Sequence, residues 1–391
     1  MAEPVNTPMP PGTPVSATPR SGSPAPPLPP VFPSSAFPPS LTSTTKPVVL
    51  HIGDPVRYNP DTFALLSSLC TLVRPPASER GRPEFVRALR ERRWGDFAAI
   101  FRPFWGTGGE MGRWDDELIS LLPPSVRVFA SAGAGFDWAD TRLLAERGIV
   151  YCNGGLAAAE AVADFAVALI ISTFRPLAYN MAAASSGDAQ QFQACHERAT
   201  ARSRNLRTQT LGLVGLGNIG QQVARRMGPG FGMDVVYYDV ERKPAELEER
   251  LGARFCGSLE ELCRASDCVV LCAPSGGGGA LIDEKSLAWF ETGSRLVNVA
   301  RGILVDEEAL ADALEEGRLS SVALDVHADE PRVHERLRAF SGDRALLTCH
   351  NAGGTVETHV GFEELAMRNI IAVLSGKQPI TPVNLQWLKR D

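Results

Sequence analysis

The chain has 391 residues, of which 44% are hydrophobic and 21% charged, with a formal net charge of −6. That supplies apolar material for a large core and two domains, and it leaves no basic surplus to neutralise phosphates or anionic lipid. Nucleic acid and membrane partners are therefore excluded in this reading, and a small molecule is the expected partner.

Residues 1–46 hold 14 of the 30 prolines and only Glu3, Arg20 and Lys46 as charges. Such a segment cannot bury enough apolar area to offset its ordering entropy, so a disordered tail is expected, with PPLPP and FPPS as pieces suited to polyproline II docking. The N-terminus has neither the apolar core of a secretion signal nor the arginines of a mitochondrial presequence. No stretch is expected to reach the roughly 18 apolar residues that span a bilayer. Eight cysteines show no CxxC pair and no zinc-finger spacing, so no metal is expected. Thiols buried in runs such as CVVLCAP fit a reducing compartment, and the cytoplasm is the expected location.

Order begins at Pro47-Val-Val-Leu-His-Ile-Gly-Asp54, an apolar run closed by a turn signal, as in a buried parallel strand. An α/β alternation follows. Helices are expected at 83–94 and 115–122 and strands at 97–101 and 126–130. The second of these strands runs into Ser131-Ala-Gly-Ala-Gly-Phe-Asp137, where small residues let backbone amides approach a ligand. A helix near 138–147, a strand at 149–152 and a long apolar helix at 158–174 come next. A helix that apolar is either a hinge between domains or a dimer contact, and a homodimer is expected.

Leu211-Gly-Leu-Val-Gly-Leu-Gly-Asn-Ile-Gly220 places GxGxxG at Gly215, Gly217 and Gly220, between an apolar strand and a helical run. Gly215 permits a tight turn, Gly217 a close approach of the pyrophosphate, and Gly220 close packing of helix on strand. Asn218 and Ile219 open a helix whose N-terminus offers amide donors. The next strand ends at Asp239, about 20 residues on, where a carboxylate can bond the ribose hydroxyls and repel a 2′-phosphate. NAD is thus expected over NADP, although Arg242 and Lys243 stand close enough to favour NADP in part.

Three polar residues follow later strands: Arg301 after LVNVA, Glu330 after LDVHAD and His350 after ALLTC. A 2-hydroxy acid needs a cation for its carboxylate and C2 oxygen, a base near neutral pKa, and a carboxylate to orient that base. The same residues, taken singly, also suit a surface ion pair and a structural histidine. Residue chemistry alone leaves both readings open.

The segments VGLGNIG, VNVARG, LDVHADEP and LTCHNAGG resemble the successive motifs of the D-isomer-specific 2-hydroxyacid dehydrogenase family, and FASAGAGFD and RGIVYCN resemble its substrate-domain motifs. The wording GAGFDW, VYYDV, SDCV and LDVH resembles its D-mandelate dehydrogenase-like branch. The resemblance implies an α/β fold of two doubly wound parallel-sheet domains. These are a flavodoxin-like substrate domain (47–155, with a return at 353–391) and an inserted Rossmann domain (156–352). It implies that His350 exchanges the hydroxyl proton, Glu330 supports it, and Arg301 holds the C2 oxygen and carboxylate. Ala134 and Gly135 would offer amides to the substrate. Ala273, Pro274, Ala300 and Asp325 would join the cofactor site, with Asp325 bonding the carboxamide. His327 reads as a supporting residue, Trp138 as either core or pocket wall, and His51, His196, His334 and His359 as uninvolved. The sequence departs from the family at Cys349, where many relatives carry proline, and at Gly276–Gly279, a flexible loop near the cofactor. The expected function is NAD(H)-dependent interconversion of 2-keto and D-2-hydroxy acids, on a phenylglyoxylate-like, glyoxylate or hydroxypyruvate substrate. An NAD-binding, co-repressor-like interaction protein or an inactive enzyme is the alternative.

Overall fold

The computed structural model describes residues 46–103, 110–275 and 278–388. The proline-rich segment up to residue 45, Gly276 and Gly277 lie outside the described residues. Each short run of Val, Ile, Leu and Phe becomes a buried parallel strand, because a strand covered by helices on both faces needs no polar alternation. Strands β1 (Val48–His51), β2 (Thr71–Val73), β3 (Ala99–Arg102), β4 (Val128–Ser131) and β5 (Val150–Cys152) form one sheet in the order β2-β1-β3-β4-β5. A second sheet holds β6 (Thr210–Val214), β7 (Asp234–Tyr238), β8 (Ala253–Phe255), β9 (Cys268–Leu271), β10 (Ser294–Asn298), β11 (Leu319–Leu324) and β12 (Ala345–Leu347). Its order is β12-β11-β10-β9-β6-β7-β8. The first order is flavodoxin-like and the second contains the dinucleotide-binding order, and in both the strands reverse direction of addition at a crevice where ligands bind.

Register fixes which residues meet at that crevice. Val214 of β6 lies level with Tyr238 of β7 and Leu271 of β9, and Asn298 of β10 lies level with Leu271 and with Leu324 of β11. Leu324 in turn is level with Leu347 of β12. The segments beginning at Gly215, Cys272, Val299, Asp325 and Thr348 therefore leave one edge of the sheet side by side.

The helix Gly155–Phe174 leads from the first sheet to the second and packs on the helix Asn218–Phe231, on the helix Val356–Leu374 and on β10 and β11. By length and composition it is apolar enough to cross a membrane, which corrects the expectation that no stretch would be. Its apolarity is spent inside this chain: Ala158, Val162, Ala163, Ala166, Leu169, Ile170 and Phe174 are buried. Glu160 and Asp164 on its open side bind Arg226 of Asn218–Phe231.

Val356–Leu374 carries the chain back to β3, β4 and the helix Pro60–Leu69. The last described stretch is stitched to the first sheet by Asn384, which is fully buried. Its amide accepts from Tyr151 N at 2.9 Å and donates to the carbonyls of Thr141 and Ile149. Both sheets lie within one compact unit.

Several boundaries differ from expectation. The 83–94 helix is Arg82–Arg90, closing in turns where Arg92 takes φ 50°, and the 138–147 helix is Thr141–Glu146, started by the Asp140 cap on Leu143 N. Short strands β2 and β8 and the helices Leu177–Ser185 and Ala189–Arg202 were not anticipated.

Candidate active site

The glycine turn is shaped by steric necessity. Gly215 has φ 97°, and a Cβ there would stand 3.0 Å from the backbone of Ala273. A Cβ on Gly220 would collide with the Gly215 carbonyl, whereas the space before Gly217 is open. Gly217 is the N-cap of Asn218–Phe231 and no side chain caps that end. The helix thus presents uncapped amides behind an open glycine, a cradle that fits a pyrophosphate. Beside it, Asp239 accepts from Leu216 N at 2.9 Å and pairs with Lys243 Nζ at 3.0 Å. Arg242 turns away to Glu248.

Arg301 leaves β10 in a turn pinned by Asn298, which is buried, donates to the Arg301 carbonyl at 2.9 Å and accepts from Ala300 N at 3.0 Å. Gly302 then packs against the His327–Ala328 backbone so closely that any Cβ would overlap it. The guanidinium donates through Nε to Asp137 at 2.6 Å and through one terminal nitrogen to the Ala300 carbonyl at 2.6 Å. Its other terminal nitrogen lies over Gly135, where a Cβ would occupy the same space. Ser275, at the mouth of the glycine loop, also bonds Asp137. Burial pushes the Asp137 carboxyl up, but the hydrogen bonds from Ser275 and Arg301 and the Arg301 charge outweigh it and hold it below the usual carboxylate range.

His350 Nδ1 lies 2.8 Å from Glu330 Oε2, while Glu330 Oε1 accepts from His327 N at 3.0 Å. Burial opposes ionisation of Glu330, yet the hydrogen bonds from His350 and the His327 amide hold its carboxyl below the ordinary range. An ionised Glu330 accepts the Nδ1 proton, which leaves Nε2 as the ring nitrogen free to exchange a proton.

The loop that bears His350 is organised by Asp325, which is 1% exposed. Its carboxylate accepts from Thr348 Oγ1 (2.6 Å), Asn351 N (3.0 Å) and Ala352 N (2.8 Å), and its carbonyl accepts from His350 N at 2.7 Å. These bonds hold His350 at φ 52°, in the left-handed region that a side chain rarely adopts, so the loop keeps its shape without a proline at the exposed Cys349. His327 is buried with Nε2 on the Thr348 carbonyl at 2.8 Å, a support for the same loop.

One cavity of about 400 Å³ gathers most of these residues. Ala134, Gly135, Asp137 and Trp138 come from the loop after β4, and Ile219, Arg301, Asp325 and His350 from the second sheet. His359, dismissed in the sequence reading, also lines it from the first turn of Val356–Leu374, and burial lowers its pKa. Gly215, Gly217, Gly220, Asp239, Ala273, Pro274, Ala300 and Glu330 do not line this cavity. The glycines and Asp239 stand at the β6 crevice, Glu330 behind His350. Asp137 and Asn298 were missed altogether.

A crevice of this kind, with amides and a carboxylate for a dinucleotide on one side and an arginine with a carboxylate-backed histidine on the other, defines a class: oxidoreductases acting on small acids. A family model described as "D-isomer specific 2-hydroxyacid dehydrogenase, NAD binding domain" matches residues 167–352. The holo structure of D-mandelate dehydrogenase from Rhodotorula graminis aligns over 86% of this chain and 97% of its own, at 41% identity and a TM-score of 0.81. A glyoxylate reductase of Thermococcus kodakarensis is 37% identical over 71% of this chain and 82% of its own length. The 4-methyl-2-oxopentanoate reductase A of Aspergillus oryzae is 31% identical over 86% and 98%. The chain belongs to the D-isomer-specific 2-hydroxyacid dehydrogenase family, whose reaction interconverts 2-hydroxy and 2-keto acids.

Proposed function

We propose that this protein is an NAD(H)-dependent reductase of 2-keto acids to D-2-hydroxy acids, with His350, Glu330 and Arg301 as its catalytic set. The observation that carries the reading is the Glu330–His350 bond of 2.8 Å beside a cavity that His350 shares with Arg301 and Gly135. When bound, the nicotinamide cofactor supplies the hydride in reduction and accepts it in oxidation. The terminal nitrogen of Arg301 over Gly135 and the amides of Ala134 and Gly135 grip the carboxylate, and the guanidinium polarises the C2 carbonyl. His350 Nε2 donates its proton to the C2 oxygen as that oxygen gains charge. Glu330 stabilises the histidinium that precedes this transfer. Ala132, Val162, Ile219 and Val299 form apolar walls that keep water from the reacting carbon.

Asn218, Ile219, Ala273, Pro274 and Ala300 surround the cofactor, and Asp325 uses its remaining lone pair on the carboxamide while it holds the His350 loop. Asp239 selects NAD, with its charge shared with Lys243. The domain boundaries proposed are 47–155 with 353–391 for the substrate domain and 156–352 for the cofactor domain. The proposal includes a cytosolic homodimer that covers Leu177, Met181 and Phe192, which are exposed; sedimentation at the mass of one chain would remove that part. The reading as a whole is tested by NADH oxidation with glyoxylate, hydroxypyruvate, pyruvate, phenylglyoxylate and 4-methyl-2-oxopentanoate, with the product resolved by chirality. A D-hydroxy acid is expected from every substrate but glyoxylate, whose product is achiral, and tight NADH binding without turnover of any keto acid would contradict the reading.

A further inference from the structure

Trp138 follows Asp137 directly, so the loop that touches Arg301 also delivers an indole to the same cavity. Its surroundings are unusual for a pocket aromatic. The Arg102 guanidinium lies over the ring, 3.8 Å from the centroid, and Arg102 is 4% exposed at the end of β3. Arg102 is held in turn by Glu110 at 2.9 Å and by Ser131 Oγ at 3.4 Å. The indole also packs on Phe129 and Tyr151, with centroids 5.8 and 6.0 Å away. The Trp138 carbonyl accepts from Trp114 N at 2.7 Å. Backbone and ring are thus both fixed before any ligand arrives.

We propose that Trp138, clamped by Arg102, is the specificity wall of this enzyme, and that it favours 2-keto acids with a bulky apolar substituent on C2, aromatic or branched, over glyoxylate. The inference rests on the reductase reading above. Arg301 and Gly135 fix the carboxylate end of the substrate, so its C2 substituent must turn toward the other walls. Those walls include the apolar Trp138, Ala158, Val162 and Phe362, with His359 as a titratable neighbour. A flat, immobile ring gives contact area at little entropic cost, and stacked or edge-on aromatic contacts add to the burial. The arginine accounts for the rigidity: a buried guanidinium over an indole gains cation–π attraction that a rotated ring would forfeit. Arg102 acts through Trp138 and is a positioning residue. Glyoxylate has no substituent at C2 to meet the wall, which makes it the internal reference.

The experiment is steady-state kinetics with NADH on phenylglyoxylate, 4-methyl-2-oxopentanoate and glyoxylate, for the parent chain and for Trp138→Ala, Trp138→Phe, Arg102→Met and Arg102→Lys. The quantity read is kcat/KM for each bulky substrate divided by that for glyoxylate. Trp138→Ala should lower this ratio by about tenfold or more, through KM chiefly, and Trp138→Phe should recover most of it. Arg102→Met should lower it by roughly threefold, while Arg102→Lys, which keeps the cation, should restore it. A variant that merely unfolds loses all three substrates together, and the paired conservative variants then carry the decision. Turnover with a ratio unchanged in Trp138→Ala, or, where that variant does not fold, a ratio unchanged in Arg102→Met, overturns the clamped wall and leaves the reductase reading intact. No turnover of any keto acid by the parent overturns both.

Discussion

Arg301 Nε donates to the Asp137 carboxylate at 2.6 Å, joining the exit of β10 to the loop after β4 across the cleft between the sheets. Asp137 thereby takes the Nε donor beside the terminal nitrogen that lies over Gly135, and in the proposed reading that nitrogen is left for substrate. Asp137→Asn keeps the shape and removes the charge. Hydrogen bonds to charged groups are worth about 1.5–3 kcal/mol, so kcat/KM for keto acids should fall by roughly 10- to 100-fold, mostly in KM. NADH affinity, followed by fluorescence titration, should hold. A normal KM for keto acid in this variant would mean that Arg301 needs no such partner.

Glu330 stays ionised well below neutrality, because hydrogen bonds from His350 and the His327 amide override its burial. A carboxylate beside an imidazole favours the imidazolium, and reduction consumes the imidazolium proton. In Glu330→Gln, reduction should slow by roughly 10- to 100-fold while NADH affinity holds. Turnover in this variant equal to that of the parent would remove Glu330 from the proton path.

Asp239 shares its charge with Lys243 at 3.0 Å. Asp239→Ala therefore does two things to NADPH: it removes repulsion and frees a lysine for the 2′-phosphate. Preference for NADH over NADPH should fall by at least tenfold, and the double variant Asp239→Ala, Lys243→Ala should recover part of it by weakening NADPH binding. Equal NADPH affinity in the single and double variants would show that Lys243 does not reach the phosphate.

His51, buried at the end of β1 with Nε2 2.8 Å from the Asp54 carbonyl, has its pKa lowered to about 4, chiefly by burial. Between pH 6.5 and 4 the unfolded chain binds a proton that the folded chain refuses, so stability is fully present above 6.5 and falls as pH drops. The shift from 6.5 corresponds to roughly 3 kcal/mol across that window. Denaturant melts at pH 7 and pH 4.5 should show His51→Gln losing less stability on acidification than the parent. The same loss in both would place the acid sensitivity elsewhere.

What the sequence made legible follows from how each residue is held. Arg301, Glu330 and His350 stand just beyond apolar strands, and parallel strands in register bring such positions together whatever lies between them. The glycine turn was equally readable, since Gly215 and Gly220 answer local collisions and Gly217 leaves open space before the helix N-terminus. Asp137 escaped because its partner is 164 residues away and no local pattern marks it. Asn298 looked like one more strand residue, although its amide fixes the Arg301 turn. His359 lacks any strand-end signal and reaches the cavity only because Val356–Leu374 returns to the first sheet. Asp325 was expected at the cofactor, yet its three carboxylate bonds to the 348–352 loop depend on backbone geometry that no residue pattern encodes. The helices Leu177–Ser185 and Ala189–Arg202 went unread because their apolar residues do not line one buried face: only Ala183 is buried in the first and Cys195 and Ala199 in the second, while Leu177, Met181 and Phe192 are exposed.

The central claim is that His350 trades the substrate proton in NADH-driven reduction of a 2-keto acid. It is tested most directly by measuring NADH oxidation with the best keto acid of the panel in the parent and in His350→Ala, with NADH affinity determined in both. The account predicts that turnover falls by roughly 10²–10⁴-fold while NADH affinity stays within a factor of a few. Turnover in His350→Ala equal to that of the parent would contradict it.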